Sequence, residues 1–217
     1  MHLALGTSMA CITITSFSSL RAHHKKQSID WNLVKIMSIG MIIGTFIGTF
    51  FASIMSTRSL ALFFSAFMAY VSIQMFMNKP ISAHKEQTSN TQLLSVSFFI
   101  GGISALVSIG GGSLTVPYLT WRNFDIKKAI GTSAALGFPI AISGSIGYLI
   151  NGITISNEIP YSLGFIYLPA LIAISITSYW TAPLGAKITH QLPVSKIKKI
   201  FSLLLISLSI KMLLSFY

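Results

Sequence analysis

Thr88-Ser-Asn-Thr-Gln-Leu-Leu-Ser-Val-Ser-Phe-Phe-Ile-Gly-Gly-Ile-Ser-Ala-Leu-Val-Ser-Ile-Gly-Gly-Gly-Ser-Leu-Thr-Val-Pro-Tyr-Leu-Thr-Trp121 runs for 34 residues without a charged side chain. A helix that crosses a bilayer needs roughly 20 apolar residues, so this run is too long for one ordinary span. Its middle, Ser108-Ile-Gly-Gly-Gly-Ser113 followed by Val116-Pro117, is poor helix. Each glycine costs a helix interior about 1 kcal/mol against alanine, and proline lacks an amide donor. The segment Leu93–Leu119 is therefore predicted to break at Gly110–Gly112. Broken backbone at membrane depth survives only where protein buries it or where it lines a polar cavity. Two short arms of about 10–12 residues, each rising about 1.5 Å per residue, would enter the core part-way and return. The alternative is one long tilted helix kinked at Pro117.

The rest of the chain reads the same way. Of 217 residues, 53% are hydrophobic and only 9% charged, where a soluble domain carries about 25% charged residues. That excludes a soluble enzyme, a disordered chain and a coiled coil. Uncharged runs cover Leu3–Leu20, Ile36–Thr57, Ser59–Met77, Ala129–Asn157 and Ile159–Ala186, and Ile200–Tyr217 holds only Lys211. None alternates as barrel strands do. The formal charge of +11 sits in short clusters between the runs, the pattern of loops facing an anionic leaflet and not of a nucleic-acid surface. The single Cys11 allows no internal disulfide and no cysteine metal cluster. The fold class is an all-α polytopic membrane protein in the cell membrane, a bacterial inner membrane.

Charge decides the topology. If Leu93–Leu119 crosses once, six basic residues fall on one side and eight on the other. If it turns back, thirteen share one face and only Arg58 opposes them. The second count obeys the positive-inside rule far better. It predicts six full spans plus one re-entrant helical hairpin, with the Arg21 and Lys196 loops cytoplasmic and Tyr217 outside.

Self-comparison finds two halves. Ala4-Leu-Gly-Thr-Ser8 matches Ala129-Ile-Gly-Thr-Ser133, with Ala10 and Ser18 in register with Ala135 and Ser143. Gly48, Phe64, Ser65, Ser72, Ile73 and Met75 match Gly185, Phe201, Ser202, Ser209, Ile210 and Met212 at a second constant offset. The halves are residues 1–77 and 93–217, joined by a polar linker at 78–92. With the returning hairpin they become inverted repeats, a habit of transporter folds. The partner of 93–119 would lie before residue 1. The face of Leu3–Leu20 is then expected to be uncovered, exposing Thr7, Ser8 and Thr13.

Ile109-Gly-Gly-Gly-Ser-Leu-Thr-Val-Pro117 followed by Ala129-Ile-Gly-Thr-Ser133 resembles the second half of the sulfite exporter TauE/SafE family. His2-Leu-Ala-Leu-Gly-Thr-Ser8, Arg21-Ala-His-His24 and Asp30-Trp31 resemble its first half. The resemblance covers essentially the whole chain and implies a membrane transporter, some members exporting sulfite or organosulfonates. The family pattern has a first glycine-rich segment that this sequence lacks, so a truncated, non-transporting remnant or subunit is the competing reading.

The motifs suit an anion. Half-helix N-termini at a break point free amides inward, and glycine lets an oxyanion approach the backbone. None of the four carboxylates, Asp30, Glu86, Asp125 and Glu158, lies inside a run, which disfavours a cation. The expected path passes Gly110, Gly111, Gly112, Ser113 and Pro117, with Gly131, Thr132 and Ser133 beside them and Gly6, Thr7 and Ser8 across the repeat axis. Thr115 adds a donor. The alternative is that the glycines only let helices cross closely, the reading preferred for Gly44-Thr-Phe-Ile-Gly48. Lys211 can snorkel to the interface or face substrate. His23 and His24 read as solvated, and His2 and His190 lie near run ends. No nucleophile–base pair, metal cluster or cofactor motif stands out, so no enzyme and no cofactor are expected. The partners are a small anionic substrate and the lipid bilayer, with no nucleic acid; a homo-oligomer stays open.

Overall fold

The computed structural model describes residues 1–77, 89–122, 124–153, 159–191 and 193–216. Among these the chain forms helices α1 (His2–Lys25), α2 (Trp31–Ile54), α3 (Thr57–Met77), α4 (Asn90–Val107), α5 (Gly112–Trp121), α6 (Ile126–Asn151), α7 (Leu168–Gln191) and α8 (Val194–Phe216). A two-stranded antiparallel ribbon, β1 (Ser162–Leu163) and β2 (Ile166–Tyr167), precedes α7. Helices α1, α2, α3, α4 and α6 are each long and apolar enough to cross a membrane. Large apolar side chains such as Ile39, Ile43, Phe46, Phe50 and Phe51 stay exposed along one side of α2. That outward face suits lipid, where polar burial is not needed to hide it.

Two of the carboxylates serve as caps. Asp30 accepts from the amides of Asn32 and Leu33, and Asp125 from those of Lys127 and Lys128. Each satisfies donors that a helix start leaves unpaired and places negative charge at the positive end of the dipole.

Helix α2 lies on α4 through glycine. A Cβ on Gly44 would fall on the Phe98 backbone, and one on Gly101 on the Met41 backbone. Small residues let the two backbones approach until dispersion holds them. The small-residue reading of Gly44 and Gly48 is the observed one.

Five contacts fix the directions of the helices. The Asp30 amide donates to Thr132 Oγ1 at 2.9 Å, so α6 starts where α1 ends. His2 Nε2 donates to the Ala52 carbonyl at 2.9 Å, so α1 starts where α2 ends. Ser72 Oγ donates to the Ser202 carbonyl at 2.7 Å, and Ser209 Oγ to the Ser65 carbonyl at 2.9 Å, so α3 and α8 are antiparallel. Finally, Arg122 Nη2 donates to Gln92 Oε1 at 3.2 Å. The end of α5 has therefore come back to the start of α4, and the segment is a hairpin. Were it one kinked helix, the 30 residues between them would hold these groups about 45 Å apart.

The structure differs from expectation in four places. The arms are unequal: α4 has 18 residues and α5 has 10. At about 1.5 Å per residue, α4 is about 27 Å long and nearly crosses, where a part-way arm was expected. The run from Ile159 opens as the ribbon, because Tyr161 (φ 61°) and Gly164 (φ 58°) adopt left-handed backbone that stops a helix. None of the three hydroxyl residues expected to be exposed is so: Thr7 is buried under β2, with Phe165 against the neighbouring Gly6, and Ser8 and Thr13 are half-buried. His23 is buried too, its Nδ1 3.2 Å from Ser28 Oγ. Tyr217 and Glu86 lie outside the described residues.

Candidate functional site

The bend between α4 and α5 is built from backbone that only a few residues tolerate. Ser108 ends α4 at φ 49° and Gly111 precedes α5 at φ 66°. The amides of Gly111 and Gly112 donate to the carbonyls two residues back, Ile109 and Gly110, each at 2.7 Å. Gly111 is required by its positive φ; a Cβ there would also stand 2.6 Å from Ile140 Cδ1, the end of a side chain that can shift. Pro117 lies inside α5, and its missing amide frees the Ser113 carbonyl from the helix ladder.

Two neighbouring helices, α1 and α6, hold the bend. Ser108 Oγ donates to the Leu5 carbonyl of α1 at 2.9 Å. Tyr148 Oη of α6 donates to the Ala105 carbonyl at 2.8 Å. Ser8 Oγ of α1 makes a longer bond, 3.4 Å, to the Ser108 carbonyl. Gly137 of α6 lets the Gly110 carbonyl approach, and Ile12 of α1 lies against Gly110.

Around the bend four hydroxyls have no partner among the described residues. The Oγ atoms of Ser104, Ser113 and Ser133 and Oγ1 of Thr115 are all shielded from solvent and unbonded. They cluster on the glycines. Ser133 Oγ is 3.6 Å from where a Gly112 Cβ would sit, and Thr115 Oγ1 and Ser104 Oγ are 3.6 and 4.0 Å from the Gly111 counterpart. A buried hydroxyl without a hydrogen bond costs roughly 1–3 kcal/mol. Here the donors also sit at the start of α5, whose N-cap Gly111 offers no side-chain bond. The amides of Gly111, Gly112 and Leu114 at that start are already bonded to the carbonyls of Ile109, Gly110 and Gly111, so the hydroxyls are the open polar groups of the bend.

The eleven residues expected to line the path divide between two jobs. Gly110, Gly111, Gly112, Ser113 and Ser133 meet at the bend, and Ser8 touches it from α1. Pro117 lies one and a half turns further along α5. Gly6, Thr7, Gly131 and Thr132 instead clasp the chain entering another helix. Thr7 Oγ1 accepts from the Tyr167 amide at 2.9 Å, just before α7, and Thr132 Oγ1 from the Asp30 amide, just before α2. A Cβ on Gly6 would strike the Phe165 carbonyl, and one on Gly131 the Ser28 carbonyl. Sequence reasoning missed Ser104 and Tyr148. The available signal for Ser104 was its spacing from Ser97 and Ser108, which puts all three on one side of α4.

Comparison with known proteins turns this geometry into a family. The model of the sulfite exporter TauE/SafE family matches residues 1–212. The chain belongs to that family. A Haemophilus influenzae protein named "Probable membrane transporter protein" is 39% identical over 219 aligned positions, covering 99% of this chain and 81% of its own. Proteins so named from Methanocaldococcus jannaschii (25% identical, 99% and 80% covered) and Bacillus subtilis (26%, 94% and 78%) also match. No solved structure matches. This TauE/SafE protein is thus a multi-pass membrane transporter, and the glycine bend is its most chemically distinctive interior feature.

Proposed function

We propose that this protein carries a small sulfur oxyanion, sulfite or a sulfonate, out across a bacterial inner membrane. The observation that carries the reading is the set of four buried, unpartnered hydroxyls at the N-terminus of α5. Each hydroxyl can donate to an oxyanion, and what turns the reading away from a cation, whose site would use the same oxygens as acceptors, is the lack of a carboxylate in any apolar run. Both described carboxylates near helix starts, Asp30 and Asp125, are spent on caps. An oxyanion at Gly111–Gly112 would take hydrogen bonds from Ser104, Ser113, Thr115 and Ser133. The hydroxyls are enclosed here, so a ligand enters only if the hairpin shifts against α1 or α6.

Reciprocal contacts support a route between two inverted repeats. Thr7 with Tyr167 answers Thr132 with Asp30, and Ser72 with Ser202 answers Ser209 with Ser65. Each pair joins equivalent positions of the proposed halves, with α1 and α6 meeting beside the bend. Transporters of this build place their site at such a repeat interface.

The test is flux from proteoliposomes loaded with sulfite, methanesulfonate, sulfate or chloride. Sulfite or methanesulfonate should leave faster than chloride, and Ser133→Ala with Thr115→Ala should abolish the difference. Equal fluxes from protein-containing and empty vesicles across the panel would sink the proposal.

A further inference from the structure

A second feature beside the bend carries charge. A cavity of about 450 Å³ opens between α1, α3, α8 and the bend; Ser8, Phe64, Ser108, Ile109, Lys211 and Met212 are among its walls. Lys211 is the one charged residue in the last apolar run. We infer that this cavity is an anion antechamber to the glycine bend, with Lys211 supplying the attraction and Ser8 the first hydroxyl. The inference rests on the anion reading above.

Three observations point the same way. The cavity reaches Ser108 and Ile109, the first residues of the bend, so what enters it stands against the bend itself. Ser8 holds the Ser108 carbonyl by a bond of only 3.4 Å, near the limit of a hydrogen bond, and its proton is cheap to redirect. The remaining walls are largely apolar, and Lys211 is itself exposed, so its field at the cavity is strongest at low salt. The position equivalent to Lys211 in the proposed first repeat is Gln74, which is neutral. The charge therefore belongs to one end of the route only. Lys211 lies five residues before Phe216, the last residue of α8, so its field faces the end of the membrane where α1 begins. A lysine serving only to anchor a helix end would face headgroups and gain nothing from a cavity wall.

The chemistry required is that of a small monovalent or divalent oxyanion. The experiment reads the field in the cavity without needing transport. In a Cys11→Ala background, Met212→Cys is modified with an anionic and with a cationic methanethiosulfonate reagent in proteoliposomes. The anionic reagent should react about tenfold faster at low salt, and the preference should shrink as salt is raised. Adding Lys211→Gln should remove the preference, and Lys211→Arg should keep it. Equal rates for the two reagents, or a preference unchanged by Lys211→Gln, would overturn the inference and leave Lys211 as a lipid anchor. Preference intact with no anion flux would overturn only the transport reading. With flux present, Lys211→Gln should raise KM for sulfite about tenfold at low salt and leave kcat within about twofold.

Discussion

Thr132 and Ser133 are neighbours in one Gly-Thr-Ser, yet their hydroxyls do opposite things. Thr132 Oγ1 accepts the Asp30 amide, while Ser133 Oγ has no partner. Thr132→Ala should therefore cost about 1–2 kcal/mol, because it leaves a capping-residue amide unpaired. Ser133→Ala should be neutral or stabilising by about 1 kcal/mol, because it removes a polar atom already paying for burial. Melting of the purified variants in detergent checks the sign, and flux should fall in the second despite its stability. The glycines divide likewise. Gly111→Ala meets both a positive φ and Ile140, and should cost about 1–3 kcal/mol. Gly112→Ala meets Ser133 Oγ only at 3.6 Å, an ordinary contact. It should fold normally and still lose flux, since its methyl sits against the Ser133 hydroxyl.

Among elements, the reciprocal serines of α3 and α8 allow a clean comparison. Ser72 and Ser209 each donate to a carbonyl of the other helix, at 2.7 and 2.9 Å. Ser72→Ala and Ser209→Ala should each cost about 0.6 kcal/mol, and by nearly the same amount. A large difference would mean that the two contacts are not equivalent. The hairpin was legible because an uncharged run too long for one span met a charge count that only a return could satisfy. The length of its arms was not, since α4 continues through Gly101 and Gly102, which sequence alone reads as weak helix. Packing on Met41 and Gly44 overrides that cost. The Gly-Thr-Ser repeat announced its importance but not its work: spacing marks equivalent positions, and the loops that Thr7 and Thr132 grip lie 160 and 102 residues away. Ser104 was lost among many serines for the same reason, because only the fold shows which hydroxyl ends without a partner.

At the scale of the molecule, the contacts that bring Arg122 to Gln92 and Thr132 to Asp30 gather Arg21, Lys25, Lys26, Lys127 and Lys128 at one end. By the positive-inside rule that end is expected to be cytoplasmic. A cysteine replacing Lys128 should be labelled only after a reagent reaches the cytoplasm, and a cytoplasm-only reporter fused after Tyr217 should be silent. Labelling of Lys128→Cys in intact cells by an impermeant reagent would reverse the orientation. The unpaired hydroxyls have one more consequence, which needs no vesicle. A folded state that holds hydroxyls without hydrogen-bond partners is a state waiting to be completed, and whatever completes it binds the native form in preference to the unfolded one. Such a ligand at about 100 times its dissociation constant adds about 2.7 kcal/mol to stability. Heating the protein with a panel of oxyanions should therefore sort them by fit, the true cargo raising the midpoint most, and that order should vanish once Ser104, Ser113, Thr115 and Ser133 are all alanine.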